Sequence, residues 1–411
     1  MGYDVYKIRK DFPMLNEDKM MQGKKLIYLD NASTTFKPMC VIDACSSYYL
    51  KYNANSHRGD YDLAYHMDCE VTNTRRVISK FIGCEENEVV FTSGDTQSLN
   101  LLAYGYGMKK LHKGDEIILS IEEHASNLLP WFKIAELTGA TIKYIPLNEK
   151  GEITPENLKR VISDKTRIVA VAQIGNVLGL QCDVKEMAKI AHKYRAIMVV
   201  DGAQSVPHIS INFKDLDIDF LTFSAHKMCG PTGIGCLIGK YHLLEEMDSY
   251  SLGGGMNVTF KEDGTIQYLN PPAKFEAGTL NLSGILGFKA AIEYLNSIGM
   301  DNIHAHEVEL QKYAIKKLED VPNLTIYNKD SEGGIICFNV NGIFAQDEAT
   351  LMNHKGIAIR SGLHCAKIFT EFLKTPATCR ASFYLYTTKE EVDAFVDVLI
   401  NGGDILDAYF S

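Results

Sequence analysis

Between about residues 85 and 240, short apolar runs rich in β-branched residues alternate with longer amphipathic or polar stretches. This alternation is typical of βαβ units, in which parallel strands are buried on both faces and joined by helices. The predicted helices are Gln97–Lys110, Asn127–Thr138, Thr154–Ser163 and Val184–Tyr194. The predicted strands are Val89–Thr92, Glu116–Ser120, Ile142–Pro146, Ile168–Ala172, Ile197–Asp201, Phe220–Phe223 and Ile234–Ile238. The pattern therefore predicts a doubly wound α/β sheet.

The pattern changes after about residue 295. The order there is helix, two strands, helix, strand, loop and a final helix at Lys389–Asn401, which predicts a smaller α+β domain packed on the first. We predict a large domain at residues 29–294 and a small domain at residues 295–411. Residues 1–28 are predicted to pack with the small domain.

Composition and charge exclude several classes of protein. The chain has 411 residues, of which 46% are hydrophobic, and a formal net charge of -10. That charge argues against nucleic-acid binding, which depends on clustered Lys and Arg. The charged N-terminus has no signal-peptide core, and no apolar run approaches the length that crosses a membrane. The ten cysteines contain no C-x-x-C pair, so we expect a cytoplasmic protein without disulfides or a membrane partner.

Asp201 ends the apolar run at residues 197–200 and is expected at the carboxyl end of a buried strand, where ligands bind in open α/β sheets. A buried carboxylate needs a partner. The pyridinium nitrogen of pyridoxal phosphate is one candidate, because an anionic neighbour keeps that ring protonated. A simple N-cap on the following turn is the alternative.

Lys227 follows the predicted strand Phe220–Phe223 directly, in the segment SAHK. Desolvation at such a position favours the neutral amine, which forms a Schiff base with an aldehyde. Upstream, the segment TSGDT at residues 92–96 precedes a predicted helix and is suited either to hold a phosphate or to cap that helix. His124 follows another strand, where an imidazole could lie on an aromatic cofactor and move protons near neutral pH.

Eight segments carry a family resemblance. TSGDT, EEHASN, QIGNVLG, VDGAQ, FSAHK and FEAGT occur in this order, and together they resemble the class V aminotransferase family of fold-type I pyridoxal-phosphate enzymes over essentially the whole chain. RSGLHCA at residues 360–366 and CRAS at residues 379–382 resemble the Suf-type, or group II, cysteine desulfurases and the related selenocysteine lyases. The resemblance implies a mainly parallel seven-stranded sheet with a smaller α+β C-terminal domain.

The resemblance also implies pyridoxal 5'-phosphate as cofactor and a role for each matching residue. Lys227 would carry the cofactor, Asp201 would pair with its ring nitrogen, and His124 would stack on the ring as a base. Arg380, Arg360 and Asn176 would bind the substrate. The other residues implied to contact the cofactor are Gln204 and Asn176 near the ring hydroxyl, and Thr96, Asp95, Ser224, His226 and the neighbouring subunit's Thr279 at the phosphate.

Four features depart from the family pattern, one of them the lack of an acidic residue after Gly253–Gly255. Asp95 stands where relatives usually offer Thr to the phosphate, and a carboxylate beside that dianion should weaken binding unless it points away. Leu363 and Ala225 replace a common His and a common Gly. These departures concern rate and exact substrate more than the class of reaction.

Cys365 is predicted to carry sulfur. A single cysteine is most often a small, buried apolar residue. The segment RSGLHC instead places this thiol on a loop beside a fixed cation, Arg360, and a titratable one, His364. Nearby positive charge increases the nucleophilic fraction of a thiol. The resemblance then implies conversion of L-cysteine to L-alanine, with the sulfur held as a persulfide on Cys365 and passed to an acceptor protein such as a Suf-type relay or an iron–sulfur scaffold.

Several alternatives stay open at this point. An enzyme of the same fold could be a selenocysteine lyase or an ordinary aminotransferase, and the latter does not need Cys365. A non-catalytic scaffold could use the same fold to bind a partner. Arg380 could form a structural ion pair instead of binding substrate. The use of Thr279 implies a homodimer, and no metal site is predicted.

Overall fold

Seven strands form the central sheet of the computed structural model, which describes residues 3–56 and 59–401. In chain order they are β1 (Val89–Thr92), β2 (Glu116–Ser120), β3 (Thr141–Ile145), β4 (Thr166–Ala172), β5 (Ile197–Asp201), β6 (Phe220–Ser224) and β7 (Gly235–Gly239). Their order across the sheet is β1-β7-β6-β5-β4-β2-β3. The fold prediction, a mainly parallel seven-stranded α/β sheet of fold-type I, is confirmed.

The exception to the parallel arrangement is β7, which pairs antiparallel with both β1 and β6. The connection from β6 to β7 spans only residues 225–234 and contains a single short helical turn at residues 225–227. A parallel pairing needs a crossover of a dozen or more residues. The short connection therefore reverses the chain and turns β7 back along β6.

Helices cover both faces of this sheet. In β5, Met198 and Val200 belong to one buried apolar cluster, whereas Ile197 and Val199 belong to another. Alternate residues of one strand thus pack against opposite helical layers, as expected for a sheet without a solvent face. The α-helices before residue 299 are Val5–Arg9, Met39–Ser47, Asp62–Ile82, Asp95–Leu102, Met108–Lys110, Leu129–Thr138, Pro155–Val161, Val184–Lys193, Phe213–Leu216, Tyr241–Glu246 and Leu282–Ile298.

A second, antiparallel sheet follows. Its strands are β8 (Leu324–Ile326), β9 (Ile335–Val340), β10 (Arg360–Gly362) and β11 (Thr378–Ser382), in the order β8-β9-β11-β10. Arg360 and Arg380 are direct cross-strand partners in this sheet. The accompanying helices are Met300–Leu318, Ala345–His354, Phe369–Leu373 and Lys389–Asn401.

The N-terminal residues contact this second unit. The short strand Ile27–Tyr28 pairs in parallel with Ile357–Ala358, and Arg9 forms an ion pair with Glu391 at 2.9 Å. The domain boundaries at residues 28 and 294 stay predictions, and their outer ends at residues 1–2 and 402–411 lie outside the described residues. Two further hairpins are formed by Met20–Met21 with Lys24–Lys25 and by Asn257–Phe260 with Ile266–Tyr268. Within the described residues, no helix is both long and apolar enough to span a membrane.

Candidate active site

A cavity of about 200 Å³ opens where the carboxyl ends of the central strands meet the second sheet. Parallel strands bring the residues that follow them to one edge, which explains why distant segments converge there. Of the predicted site residues, those that line the cavity are Asp95, Thr96, His124, Asn176, Asp201, Gln204, Ser224, His226, Lys227, Arg360 and Arg380. Cys365 contacts one lining residue, Arg360, and Thr279 lies elsewhere.

Lys227 and Asp201 form the electrostatic centre of the cavity. Asp201 ends β5 and is 4% exposed, and its Oδ1 accepts a hydrogen bond from the backbone N–H of Ala203 at 2.9 Å. Burial lowers the pKa of Lys227, while the carboxylates of Asp201 and then Asp95 oppose that change. Burial likewise raises the pKa of Asp201. The hydrogen bond to Ala203 agrees with the alternative that Asp201 caps the following turn. It uses only one carboxylate oxygen, so the other can bind a different partner.

His124 begins a short turn after β2. Its Nδ1 accepts from the backbone N–H of Ser126 at 3.1 Å, so a neutral ring carries its proton on Nε2. Burial, together with Lys227 and Arg360, lowers the pKa of His124 to about 4. Because the imidazolium is desolvated and close to cations, the His124 ring is neutral at physiological pH. Its role as a base that stacks on the cofactor ring stays a prediction.

Hydroxyl and backbone donors collect at one end of the cavity. The backbone N–H of Asp95 donates to Ser224 Oγ at 2.8 Å, and Thr96 Oγ1 lies 2.8 Å from Ser126 Oγ. Both groups stand at the N-terminus of the helix Asp95–Leu102, whose dipole favours an anion. His226 Nδ1 lies 3.2 Å from Thr34 Oγ1. This end of the cavity fits a phosphate.

Gln204 supplies an unsatisfied buried acceptor. Its Nε2 donates to the carbonyl of Ala32 at 2.7 Å, but its Oε1 has no hydrogen-bond partner within the described residues. Buried polar atoms are normally hydrogen-bonded, so an unpaired one in a cavity indicates a ligand donor. Asp95 Oδ1 and Arg380 Nε are unpaired in the same cavity. The amine, carboxylate, amide and anion-binding groups together fit pyridoxal phosphate.

Two arginines close the cavity from the second sheet. Arg380 is 1% exposed and donates through Nη1 to the carbonyl of Asn176 at 2.7 Å, and through Nη2 to Asp30 at 3.1 Å and Ser33 at 2.9 Å. Arg360 donates through Nη1 to Ser33 Oγ at 3.1 Å. The structural ion pair considered for Arg380 exists, with Asp30 as the partner, yet Nε stays available for a ligand.

Cys365 lies exposed at the mouth of the cavity. Arg360 Nη2 lies 3.4 Å from its Sγ. The loop is held from two sides: Asn176 Nδ2 donates to the carbonyl of His364 at 2.8 Å, and the backbone N–H of Ala125 donates to the carbonyl of Cys365 at 2.8 Å. His364 and Cys365 have φ of 49° and 59°, a region that costs about 1 kcal/mol or more for a side chain with Cβ. The anchors hold the thiol in a strained, defined position.

His364 is not the second cation that the sequence predicts. It is 2% exposed, and its Nε2 lies 2.9 Å from Thr378 Oγ1 and 3.1 Å from the Thr378 carbonyl. Burial, followed by the charges of Arg380 and Arg360, lowers its pKa to about 3. The ring is neutral at physiological pH and supports the loop, which leaves Arg360 as the cation beside the thiol.

Sequence reasoning missed three polar residues of the site. Ser126 contacts both Thr96 and His124, and it lies inside the EEHASN segment, which could have indicated it. Asp30 and Ser33 fix the two arginines. No motif or strand pattern singles out these two residues, because their importance depends on contact with the chain near residue 380.

Thr279 is exposed outside this cavity, and Asn55 Nδ2 donates to its Oγ1 at 3.1 Å. Within its own subunit it therefore contacts none of the other predicted cofactor residues. Its assignment to a neighbouring subunit stays a prediction.

The fold and the cavity define the class of protein. The family model described as aminotransferase class-V matches residues 27–395, and the chain belongs to this family. A probable cysteine desulfurase of Halalkalibacterium halodurans is 44% identical over 393 residues, which cover 95% of this chain and 96% of that protein. A probable cysteine desulfurase of Halobacterium salinarum is 42% identical over 398 residues, 96% of this chain and 95% of that protein.

Solved structures agree with these relatives. The chain is similar to a cysteine desulfurase of Escherichia coli in an S-sulfonic acid form, with a TM-score of 0.91 and 33% identity over 98% of this chain and 99% of that one. It is also similar to an apo cysteine desulfurase of Thermococcus onnurineus, with a TM-score of 0.91 and 36% identity over 97% and 98% of the two chains.

Proposed function

We propose that this chain is a pyridoxal-phosphate-dependent cysteine desulfurase, which converts L-cysteine to L-alanine and keeps the sulfur as a persulfide on Cys365. The observation that carries this proposal is a single cavity that holds Lys227 and Asp201, with Cys365 at its mouth beside Arg360. An ordinary aminotransferase needs the first two residues but has no use for a thiol at this position.

Six of the lining residues would hold the cofactor. Lys227 would hold it through the amine, and Asp201 would pair with the ring nitrogen. Gln204 Oε1 would accept from the ring hydroxyl, and Thr96, Ser224 and His226 would hold the phosphate at the helix N-terminus. When bound, pyridoxal phosphate supplies an electron sink that makes the Cα proton of the amino acid removable. With the cofactor bound, the neutral Lys227 amine would be the base that takes this proton.

The two arginines and Asn176 bind the substrate. Arg380 lines the cavity and its Nε has no hydrogen-bond partner within the described residues, and charge-assisted hydrogen bonds to a carboxylate contribute about 1.5–3 kcal/mol. Asn176 links this guanidinium to the cysteine loop, because its carbonyl accepts from Arg380 and its amide donates to His364. The substrate carboxylate and the attacking thiol are thus positioned by one connected set of contacts.

Sulfur transfer is the reaction of the Cys365 thiolate. Its Sγ attacks the sulfur of the bound cysteine, and an S–S bond forms while the substrate C–S bond breaks. The electron pair of the broken bond stays with the carbon skeleton, which gains a proton and leaves as alanine. Arg360 stabilises the thiolate before attack and the persulfide afterwards. Exposure of Cys365 allows an acceptor protein to collect the sulfur.

The assembly and location complete the proposal. The enzyme acts as a homodimer in which Thr279 of each subunit contacts the phosphate in the other, and the sulfur goes to a relay or scaffold protein. All ten cysteines are free, including the exposed Cys40, which supports a reducing cytoplasm.

Mass spectrometry after incubation with L-cysteine tests the function. We expect one additional sulfur on the peptide that contains Cys365, together with alanine in the solution. Cys365→Ala should keep the yellow cofactor colour and lose both products, whereas Cys40→Ala, at another exposed cysteine, should keep them. A colourless protein would favour the scaffold alternative, unchanged turnover in Cys365→Ala would remove the persulfide, and activity on selenocysteine alone would favour a lyase.

A further inference from the structure

Asp95 places a buried carboxyl group at the phosphate-binding end of the cavity. It begins the helix Asp95–Leu102 and is 7% exposed. Its backbone N–H donates to Ser224 Oγ at 2.8 Å, but its side-chain Oδ1 has no hydrogen-bond partner within the described residues. The carboxyl therefore lies against the cavity, beside residues predicted to hold the phosphate, with one oxygen unsatisfied.

The charged groups around Asp95 do not neutralise it. Asp201 at the end of β5 repels a negative charge on Asp95, and Lys227 after β6 is the cation that attracts it. The hydroxyl of Thr222, on β6, lies beside the carboxyl and favours its ionised form, but less than burial and Asp201 disfavour that form. Burial, followed by the charge of Asp201, raises the pKa of Asp95 to about 8.

The remaining titratable groups of the cavity add little positive charge at this end. Burial and the charge of Lys227 lower the pKa of His226 to about 4, and His124 is likewise neutral. Arg360 and Arg380 approach the cavity from the second sheet, and their charges lower the pKa of Lys227 rather than that of Asp95. The positive charge of Lys227 is thus shared between two carboxyl groups, those of Asp95 and Asp201.

We propose that Asp95 is a protonated carboxylic acid in the cofactor-bound protein and donates a hydrogen bond to the phosphate of pyridoxal phosphate. This inference rests on the proposed cofactor and adds a proton to its binding site. A protonated carboxyl offers the same O–H donor that a threonine would supply at this position. An ionised carboxylate would instead repel the phosphate, which carries a charge of about -1.5 to -2 at neutral pH.

The proposal determines how cofactor affinity depends on pH. Binding of an anion beside Asp95 favours its protonated form, so by linkage the phosphate binds most tightly where that form prevails. The affinity should be high below pH 8 and should fall as the pH rises through the pKa of Asp95. Because binding requires the protonated carboxyl of Asp95, each pH unit above the pKa of Asp95 weakens cofactor binding by about tenfold.

Binding measurements with two ligands separate this role from an effect on Lys227. The dissociation constants of pyridoxal phosphate and of pyridoxal, which lacks the phosphate, are measured by absorbance at pH 7 and pH 9 for the wild type and Asp95→Asn. The asparagine side chain is a permanently neutral donor of similar shape. Asp62→Asn is the matched control, because Asp62 is an exposed aspartate at the first position of another helix.

Between pH 7 and pH 9, the affinity of the wild type for pyridoxal phosphate should fall by about tenfold more than that of Asp95→Asn. The Asp62→Asn control should behave like the wild type. The affinity for pyridoxal should change with pH to the same extent in the wild type and in Asp95→Asn. Equal pH dependence in wild type and Asp95→Asn would overturn the proposal, and so would a difference of the same size with pyridoxal, which would place the effect on Lys227.

Infrared difference spectra between the wild-type and Asp95→Asn holoenzymes provide a second readout. Glu122 is another buried carboxyl whose raised pKa gives a carboxylic acid C=O band in both proteins, so the band of Asp95 is the part of this absorption at pH 7 that is lost in Asp95→Asn and disappears from the wild type at high pH. Identical carboxylic acid absorption in the two proteins at pH 7 would overturn the proposal. Failure of the cofactor hypothesis would give a distinct result, because neither the wild type nor Asp95→Asn would then bind pyridoxal phosphate at any pH.

Discussion

Arg360 Nη2 lies 3.4 Å from the Sγ of Cys365, while Nη1 of the same guanidinium donates to Ser33 Oγ at 3.1 Å. The second contact fixes the cation, and the first directs it at the thiol. Because His364 is neutral and bonded to Thr378, Arg360 is the charged group that makes direct contact with this sulfur among the described residues. The reactivity of Cys365 should therefore depend on this one side chain.

Arg360→Gln should slow alkylation of Cys365 by iodoacetamide at pH 7.5. Arg360 Nη2 donates to Sγ and holds the sulfur in place, so loss of this charge-assisted contact should reduce the rate by about tenfold. Peptide mass spectrometry over time measures this rate. Arg76→Gln is the control, because Arg76 is exposed and pairs with Glu86 far from the loop; an equal loss of rate in both variants would contradict the prediction.

The central sheet was largely predictable, because strand periodicity is a local property of the chain. The predicted strands Val89–Thr92, Glu116–Ser120 and Ile197–Asp201 have the bounds that the structure shows. The rule that ligands bind beyond the carboxyl ends of parallel strands then brought Asp201 and Lys227 to one cavity. The predicted helix Gln97–Lys110 is less regular: an α-helix ends at Leu102, a wider turn follows at Ala103–Gly107, and Met108–Lys110 is α-helical again.

The neighbours of the site residues could not be predicted in the same way. Asp30 meets Arg380 across 350 positions of sequence, and the burial of His364 depends on Thr378 from a neighbouring strand. The periodicity of apolar residues along the chain contains no information about such long-range contacts. A histidine next to a reactive cysteine therefore suggested a cation, although tertiary burial makes it neutral.

Glu122 should make the stability of the ligand-free protein fall as the pH rises. It is 4% exposed, its Oε1 is unpaired, and it packs so closely on Gly175 that a Cβ there would lie 1.8 Å from that oxygen. Burial raises the pKa of Glu122 to about 8. Between the unfolded pKa of about 4.3 and this value, the folded state holds a proton that the unfolded state has lost, so stability decreases with rising pH.

Glu122→Gln removes this penalty. Its free energy of unfolding relative to wild type should be higher at pH 8 than at pH 5 by up to about 4 kcal/mol, because a tenfold difference in proton affinity between the folded and unfolded states corresponds to about 1.36 kcal/mol. Urea unfolding at the two pH values measures the difference. Glu17→Gln, at an exposed glutamate, should show none. A Glu122→Gln difference that does not change with pH would show that this carboxyl is charged in the folded protein.

The FEAGT segment is fixed to the central sheet by a largely buried ion pair. Glu276 accepts two hydrogen bonds from Arg75, at 3.0 and 2.9 Å, and one from the backbone N–H of Phe91 at 2.9 Å. The two side chains are only 12% and 8% exposed. Removing one partner leaves a buried charge, so Glu276→Ala should lower the free energy of unfolding by about 3 kcal/mol.

Chemical unfolding of Arg75→Met, Glu276→Leu and the double variant checks this ion pair. The double variant should lose less than the sum of the two single losses, because both charges leave together. Glu136→Ala breaks an exposed pair with Lys133 and should change stability by less than about 1 kcal/mol. Strict additivity of Arg75→Met and Glu276→Leu would mean that the contact contributes nothing.

Thr279 follows Glu276 by three residues. It lies outside the cavity of its own subunit and accepts a hydrogen bond from Asn55. If it serves the neighbouring site, Lys227→Ala and Thr279→Ala should complement each other in a mixed dimer. One site of that dimer combines an intact Lys227 with an intact Thr279 from the other subunit, and the opposite site lacks both. Two separately tagged chains, co-expressed and purified through both tags, provide this dimer.

The mixed dimer should show about half the turnover of the wild type and bind about one pyridoxal phosphate with wild-type affinity, because only one site is complete. Each homodimer should be defective: Lys227→Ala in turnover, and Thr279→Ala in cofactor affinity, through loss of one charge-assisted hydrogen bond worth about 1.5–3 kcal/mol. If Thr279 acted within its own subunit, each site of the mixed dimer would carry one defect. The dimer would then lack any site with wild-type affinity and turnover, and this outcome would exclude a shared active site.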